Sequence, residues 1–99
     1  MHTIPHNVYE ELTDRLIESI GSSDYFSGNV TAIDANNSYK LIASIIIYRH
    51  KSHLHRDANR PIRKIVPVWW ELQSYIENEE VENDFDFNIF KNLFYKCVN

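Results

Sequence analysis

The first regular pattern of hydrophobic positions along the chain lies in residues 7–20. Four apolar side chains fall on one helical stripe, with the acidic side chains largely off it: Val8, Leu12, Leu16 and Ile20. Asn7 followed by Glu10 is typical of a helix start, and Gly21 is typical of a helix stop. The segment predicts an amphipathic surface helix over residues 7–20.

Three later segments carry the pattern of β-strands. Residues 39–50 contain β-branched and aromatic residues without a breaker, which makes them the strongest strand candidate. Residues 26–34 are a weaker candidate, and turn-forming residues separate the two segments. Residues 61–72 supply a third strand, which Pro67 marks as an edge or a bulged strand because proline has no N–H to donate. The pattern predicts an antiparallel meander with residues 39–50 in the centre.

Helical spacing returns near the end of the chain. In residues 86–98 one stripe carries four residues: Phe87, Phe90, Phe94 and Cys97. Cys97 is therefore interpreted as a small core residue, since a helix C-terminus disfavours a reactive thiolate. Asp84 or Asp86 can cap this helix, and the acidic segment 77–84 before it is predicted to be a solvated loop. The order α-β-β-β-α predicts an α+β fold, with two helices packed on a three-stranded antiparallel meander.

The length and composition of the chain predict the number of domains and the cellular compartment. A chain of 99 residues fits one domain, residues 1–99, and is long enough to bury a core. Cys97 has no partner for an intramolecular disulfide, which suits a reducing compartment. No apolar run approaches the roughly 18–20 residues that a membrane span requires, and no signal peptide is visible. We expect a cytoplasmic protein that does not associate with membranes.

The charges are divided between two blocks. Residues 49–64 hold six of the ten Lys and Arg residues and one acid, whereas residues 71–86 hold seven of the fourteen acids and no base. The basic block is a candidate nucleic-acid patch, formed by Arg49, Lys51, Arg56, Arg60, Arg63 and Lys64. The formal net charge of −4 and the absence of a recognised binding motif favour the other interpretation, a solvated loop or a protein contact.

The pair Trp69-Trp70 indicates that both faces of the sheet are apolar. Neighbours on a strand point to opposite faces, so Trp70 joins Leu72 on one face and Trp69 joins Ile65 on the other. If both helices cover one face, the opposite face presents a candidate protein interface: Ile42, Ile46, Tyr48, Ile65 and Trp69. An uncovered patch of this kind favours a partner, including a homodimer. Two alternatives stay open: one helix covers each face, or the long loops fold over the second face.

Site chemistry is sparse in this sequence. His50, His53 and His55 have ligand character, but their short spacing and cationic neighbours argue against a metal site. No nucleophile motif, phosphate-binding glycine loop or zinc-protease motif is present. We therefore predict no catalytic residue, no metal and no cofactor, and a protein that is not an enzyme.

The last third of the chain carries a resemblance. Residues 65–72 (IVPVWWEL), followed by residues 83–87 (NDFDF), resemble a pattern in small uncharacterised bacterial proteins associated with mobile elements. The resemblance implies a bacterial, cytoplasmic accessory protein and transfers no site residues. The resulting hypothesis is a non-enzymatic protein-interaction module that self-associates. The alternative is a nucleic-acid-associated accessory protein that uses residues 49–64.

Overall fold

The computed structural model describes residues 1–49 and 62–98, and these residues form two helices and one sheet. In chain order the elements are α1 (His6–Ile20), β1 (Tyr25–Asp34), β2 (Tyr39–Arg49), β3 (Ile62–Ser74) and α2 (Phe87–Val98). The strands pair antiparallel in the order β1-β2-β3, with β2 in the centre. The predicted α+β order and the meander are confirmed.

The N-terminus of α1 differs from the expected one, whereas its C-terminus is formed by the expected residue. α1 begins at His6, one residue before the expected start, and no side chain caps it, so the predicted cap at Asn7 was wrong. Pro5 is the N-cap residue; it is extended, with φ −66° and ψ 153°, and its carbonyl accepts the Val8 N–H at 3.1 Å. At the other end Gly21 adopts a φ of 51° and donates its N–H to the Ile17 carbonyl, as a helix stop should.

α2 begins with a capping carboxylate. Asp86 Oδ1 accepts the Asn88 N–H at 2.8 Å, which confirms one of the two predicted caps. Asp84 has another role, because its Oδ1 accepts the Ile4 N–H at 2.7 Å. The acidic segment before α2 is largely exposed, as expected.

One face of the sheet is buried under both helices. β2 alternates strictly between buried and half-buried residues, so only one of its faces joins the core. α1 packs on β1, α2 packs on β3, and the helices touch each other. The largest fully buried side chains are Phe90, Phe94, Leu12, Leu16, Ile20, Leu41, Ile45, Ile47 and Leu72. Burying one such side chain contributes about 1.5–3 kcal/mol, so this face holds the sheet and helices together.

A β-bulge in β3 reverses which residues face the core. Ser44 lies opposite Trp69 and Ile45 lies opposite Pro67, so Val68 is an extra residue in the ladder. This irregularity confirms the interpretation of Pro67 as a mark of a bulged or edge strand. Beyond the bulge Trp70 lies on the helix side, where its ring stacks on Phe87 at a centroid distance of 6.0 Å.

The bulge overturns one predicted interface residue. Ile65 pairs with Ile47 on the helix-covered face and is only 6% exposed. Simple alternation had placed Ile65 with Trp69, but the extra residue between them changes the parity of the strand. Val66, which pairs with Ile46, takes the position that was assigned to Ile65.

Cys97 is a second correction, because its side chain is exposed rather than part of the core. It lies on the last turn of α2 and lines a groove between the helices together with His6 and Asp14. Helical spacing aligns Cys97 with Phe90 and Phe94, but spacing does not show whether another element lies over the end of a helix.

Candidate functional site

The face of the sheet opposite the helices is the largest candidate surface, and we call it the open face. Cross-strand register places these residues on it: Tyr25, Ser27, Asn29, Thr31 and Ile33 of β1, Lys40, Ile42, Ser44, Ile46 and Tyr48 of β2, and Lys64, Val66, Trp69, Glu71 and Gln73 of β3. Within the part of the chain that the structure describes, both helices lie on the other side. The open face is therefore presented without a helical cover.

Charge is distributed unevenly over the open face. Its centre is formed by apolar and uncharged side chains: Ser27, Asn29, Thr31, Ile42, Ser44, Ile46, Val66 and Trp69. The cations Lys40 and Lys64 lie in the end rows, and Glu71 is a single acid at one edge. An uncharged centre within a charged rim is the usual composition of a protein interface.

Four of the five predicted interface residues share the open face. Three of them are half-buried residues of β2, and the fourth is Trp69, which is 43% exposed. Ile42, Ile46 and Tyr48 lie on the same face of the central strand, so their side chains form one surface. The exception is Ile65, which the bulge turns into the core.

Sequence reasoning missed the contribution of β1 to this surface. Tyr25 and Ile33 are 52% and 40% exposed, at opposite ends of the strand. Tyr25 lies one residue before the predicted strand and was not assigned to a face. The alternation of residues 25–33 contains the signal, but the pairing of Tyr25 with Tyr48 becomes visible only from the register.

One end of the open face combines aromatic and cationic side chains. The rings of Tyr25 and Tyr48 lie 5.3 Å apart with a 55° angle between their planes. The Arg63 guanidinium lies 5.4 Å from the Tyr48 ring centroid, and Lys64 lies directly opposite Tyr48. We call Tyr25, Tyr48, Arg63 and Lys64 the basic aromatic end; a cavity of about 600 Å³ adjoins it.

The structure divides the predicted nucleic-acid patch into three parts. Arg63 and Lys64 are exposed at the basic aromatic end. Lys51, Arg56 and Arg60 lie outside the described residues, as do the three histidines of that segment.

Arg49 is the exception within the patch, because it is a buried structural residue. Its Nε donates to the Ser23 carbonyl at 3.0 Å and its Nη2 donates to the Gly21 carbonyl at 2.8 Å. Its backbone N–H donates to the Asp24 carbonyl at 2.9 Å. Arg49 therefore fastens the α1–β1 connection to the end of β2, and its guanidinium is only marginally accessible to a ligand.

Both outer edges of the sheet have protecting features. At β1, Glu11 Oε2 accepts the Ile33 N–H at 3.0 Å. At β3, Val81 donates to the Leu72 carbonyl at 2.7 Å and Ser74 donates to the Glu79 carbonyl at 3.0 Å. Pro67 further disfavours strand addition along the rest of β3. Within residues 1–49 and 62–98, both edges have such contacts, whereas neither helix packs on the open face.

The groove between the helices is a smaller candidate. His6, Glu10, Asp14 and Cys97 line a cavity of about 280 Å³, and His6 Nε2 lies 3.2 Å from Glu10 Oε1. These residue types are metal ligands, but residues 1–49 and 62–98 contain no group of three or more that is arranged to hold a metal. Neither α1 nor α2 has the length and hydropathy that a membrane span needs.

Comparison of the chain with protein-family models, with curated proteins and with solved structures gives no match. The resemblance to bacterial proteins of mobile elements therefore stays a prediction. The candidate function depends on the surface chemistry of the open face.

Proposed function

We propose that this protein is a non-enzymatic interaction module that self-associates through the open face of its sheet. The observation that supports the proposal is a sheet face with an uncharged centre that includes Ile42, Ile46 and Trp69, over which neither helix of the described residues lies. Patches of more than a few hundred Å² are rarely left wet by a monomer, and they generally mark a partner site.

Trp69 is the expected anchor of this contact. It is 43% exposed on the edge strand β3, next to the half-buried Ser44 of the central strand. Tryptophan is enriched among the residues that contribute most to binding, because one side chain buries roughly 150–250 Å². A second copy that covers the same patch gains this burial twice, and a two-fold dimer is the commonest closed arrangement.

A face-to-face contact is favoured over strand addition at an edge. Glu11 occupies an outward N–H of β1, while Glu79 and Val81 occupy the end of β3. Two sheets that pack face to face lie about 10 Å apart and bury side chains rather than pair backbone groups. The open face supplies those side chains in the alternating residues of all three strands.

The test is the molecular mass in solution, measured by size exclusion with light scattering at high micromolar concentration. We expect the wild type to have the mass of a dimer and Trp69→Glu to have the mass of a folded monomer, since burying an unpaired charge in an interface is strongly unfavourable. Ile89→Glu is the matched control. Ile89 is 46% exposed on α2, on the helix side of the molecule, so this variant should remain a dimer.

A monomeric wild type at that concentration contradicts self-association. A wild type that is monomeric alone but forms a complex of defined mass with another protein, lost in Trp69→Glu, would reassign the same face to a different partner. The cytoplasmic location and the bacterial origin are further proposals that this experiment leaves independent.

The nucleic-acid alternative is retained in a narrower form. Arg63 and Lys64 still present positive charge on the open face, whereas Arg49 is committed to carbonyl groups within the fold. The specific observation in its favour is the pair of tyrosines beside these two cations.

A further inference from the structure

The basic aromatic end differs from the rest of the open face in chemistry. Tyr25 of β1 is 52% exposed, and Arg63 and Lys64 are exposed on β3, on the other side of Tyr48. Arg63 covers the Tyr48 ring from one side, at 5.4 Å, which leaves Tyr25 as the more accessible aromatic surface of the pair. An exposed ring next to two cations is the combination that stacks a nucleobase and holds its phosphate.

The charge of the open face is opposite in sign to that of the whole chain. The formal net charge of the protein is −4. The open face nevertheless carries Lys40 and Lys64 against one acid, Glu71, and the adjoining Arg63 shares the cavity beside Tyr25 with the acid Asp24. The acids of residues 77–86 follow β3 and lie outside the open face. The local field therefore favours a polyanion at this face although the molecule as a whole repels one.

We propose that the basic aromatic end binds single-stranded nucleic acid, with a base stacked on Tyr25 and phosphates contacted by Arg63 and Lys64. A single strand is the form that fits, because a duplex hides the faces of its bases from an exposed ring. The two cations are sequence neighbours at the second irregularity of the β2–β3 ladder, where Arg63 is the extra residue. That bulge allows both side chains to lie at the same end of the sheet.

This inference and the proposed function use different parts of the open face. Self-association depends on the uncharged centre around Trp69, whereas the nucleic acid would contact the row that contains Tyr25 and Lys64. The inference rests on the open face being accessible but not on the dimer. Loss of one activity is therefore separable from loss of the other.

The experiment measures fluorescence anisotropy of a labelled oligothymidylate with the full-length protein, from about 50 to about 200 mM salt. We expect binding at low salt that weakens as salt rises, with a log–log slope of about −0.7 for each phosphate neutralised on a single strand. A labelled duplex of equal length should bind more weakly than the single strand.

Three substitutions separate stacking from charge. Tyr25→Leu keeps an apolar side chain without a π face, and we expect it to lose about 5-fold or more in affinity with an unchanged salt slope. Tyr25→Phe should restore the affinity. Arg63→Gln should make the slope shallower by about 0.7, because one ion contact is removed.

The opposite end of the sheet offers a matched control. There the Lys40 ammonium lies 5.6 Å from the Tyr75 ring centroid, the same pairing of cation and tyrosine. Tyr75→Leu should leave binding unchanged if the site is the basic aromatic end. Far-UV circular dichroism and light scattering of each variant report whether fold and mass are retained.

Several results would overturn the inference. These are no binding at low salt, equal affinity for duplex and single strand, full affinity in Tyr25→Leu, or an equal loss in the control variant. If Trp69→Glu becomes monomeric and still binds the oligonucleotide, the two proposals hold separately. If Tyr25→Leu loses binding only because its mass changes, the tyrosine belongs to the protein interface and the nucleic-acid site is rejected.

Discussion

The two faces of this sheet are built from the same three strands but have different physical environments. On the covered face, Leu41, Ile45 and Ile47 of β2 are at most 1% exposed beneath the helices. On the open face their neighbours Ile42 and Ile46 are only half-buried. The residue types are similar, so hydrophobicity alone does not distinguish core from candidate interface. The difference lies in what packs against each face.

The loss of folding stability caused by a substitution should therefore depend on the face more than on the residue type. A side chain on the covered face fills a close-packed space, so its removal leaves a cavity. A side chain on the open face contributes less to folding and more to association. Adjacent residues of one strand provide the sharpest test, since they share local structure and differ in face.

The largest expected effect is at Ile65. Ile65→Ala removes a core side chain that is 6% exposed, and we expect a loss of about 2–5 kcal/mol in the free energy of unfolding. Val66→Ala, on the open face, should lose about 1 kcal/mol or less. Urea unfolding at low protein concentration, where association contributes least, measures both. A larger loss at Val66 than at Ile65 would mean that the bulge does not reverse the strand as described.

A smaller effect is expected at Arg49, which we compare with Arg63 at the other side of the same strand connection. Arg49→Gln removes guanidinium hydrogen bonds to the Ser23 and Gly21 carbonyls, so we expect a loss of about 1.5–3 kcal/mol in unfolding free energy. Arg63→Gln should lose less than about 1 kcal/mol, because its ring contact is at the surface. Thermal or urea unfolding shows which variant loses more stability. Equal losses in unfolding free energy would contradict the division of the basic patch into a buried and an exposed part.

The smallest effect concerns Tyr9, which joins α1 to the start of α2 on the covered side. Burial raises the pKa of Tyr9, although the Asp86 N–H that its hydroxyl oxygen accepts at 2.9 Å acts in the opposite direction. A pKa that is higher in the folded state than in the unfolded state stabilises the fold below the unfolded value of about 10, and that contribution is lost as pH rises through the folded value.

Tyr9→Phe should therefore lose less stability than the wild type when the pH is raised from neutral to above about 10. Tyr25→Phe, at a residue that is 52% exposed, is the matched control for removal of a tyrosine hydroxyl. The measurement is the urea midpoint as a function of pH. Identical alkaline losses in the wild type and in Tyr9→Phe would show that the hydroxyl titrates no differently in the folded protein.

Much of the fold is readable from local pattern. The stripe of Val8, Leu12 and Leu16 identified α1, and β-branched and aromatic residues without a breaker identified β2 as the central strand. Gly21 and Asp86 act at helix ends as their chemistry predicts. These features depend on neighbours within a few residues, so periodicity and capping chemistry contain the necessary information.

The candidate site was less accessible from the sequence. Four of its five predicted residues are on the open face, but assigning a face to Ile65 required counting through Val68, and nothing in the spacing shows that Val68 is unpaired. Pro67 signalled an irregular strand without saying which residue was extra. The prediction that Cys97 is buried was wrong for a related reason. Its helical stripe was correct, but no element of the described fold covers it.

The local sequence pattern predicted the order of the elements and the central position of β2. Only the tertiary structure decided that both helices lie on one face, that Ile65 belongs to the core, and that Arg49 supports the α1–β1 connection. Helix and strand formation depends on contacts between near neighbours, whereas register, burial and charge pairing join residues that are distant along the chain. The open face arises from such distant contacts.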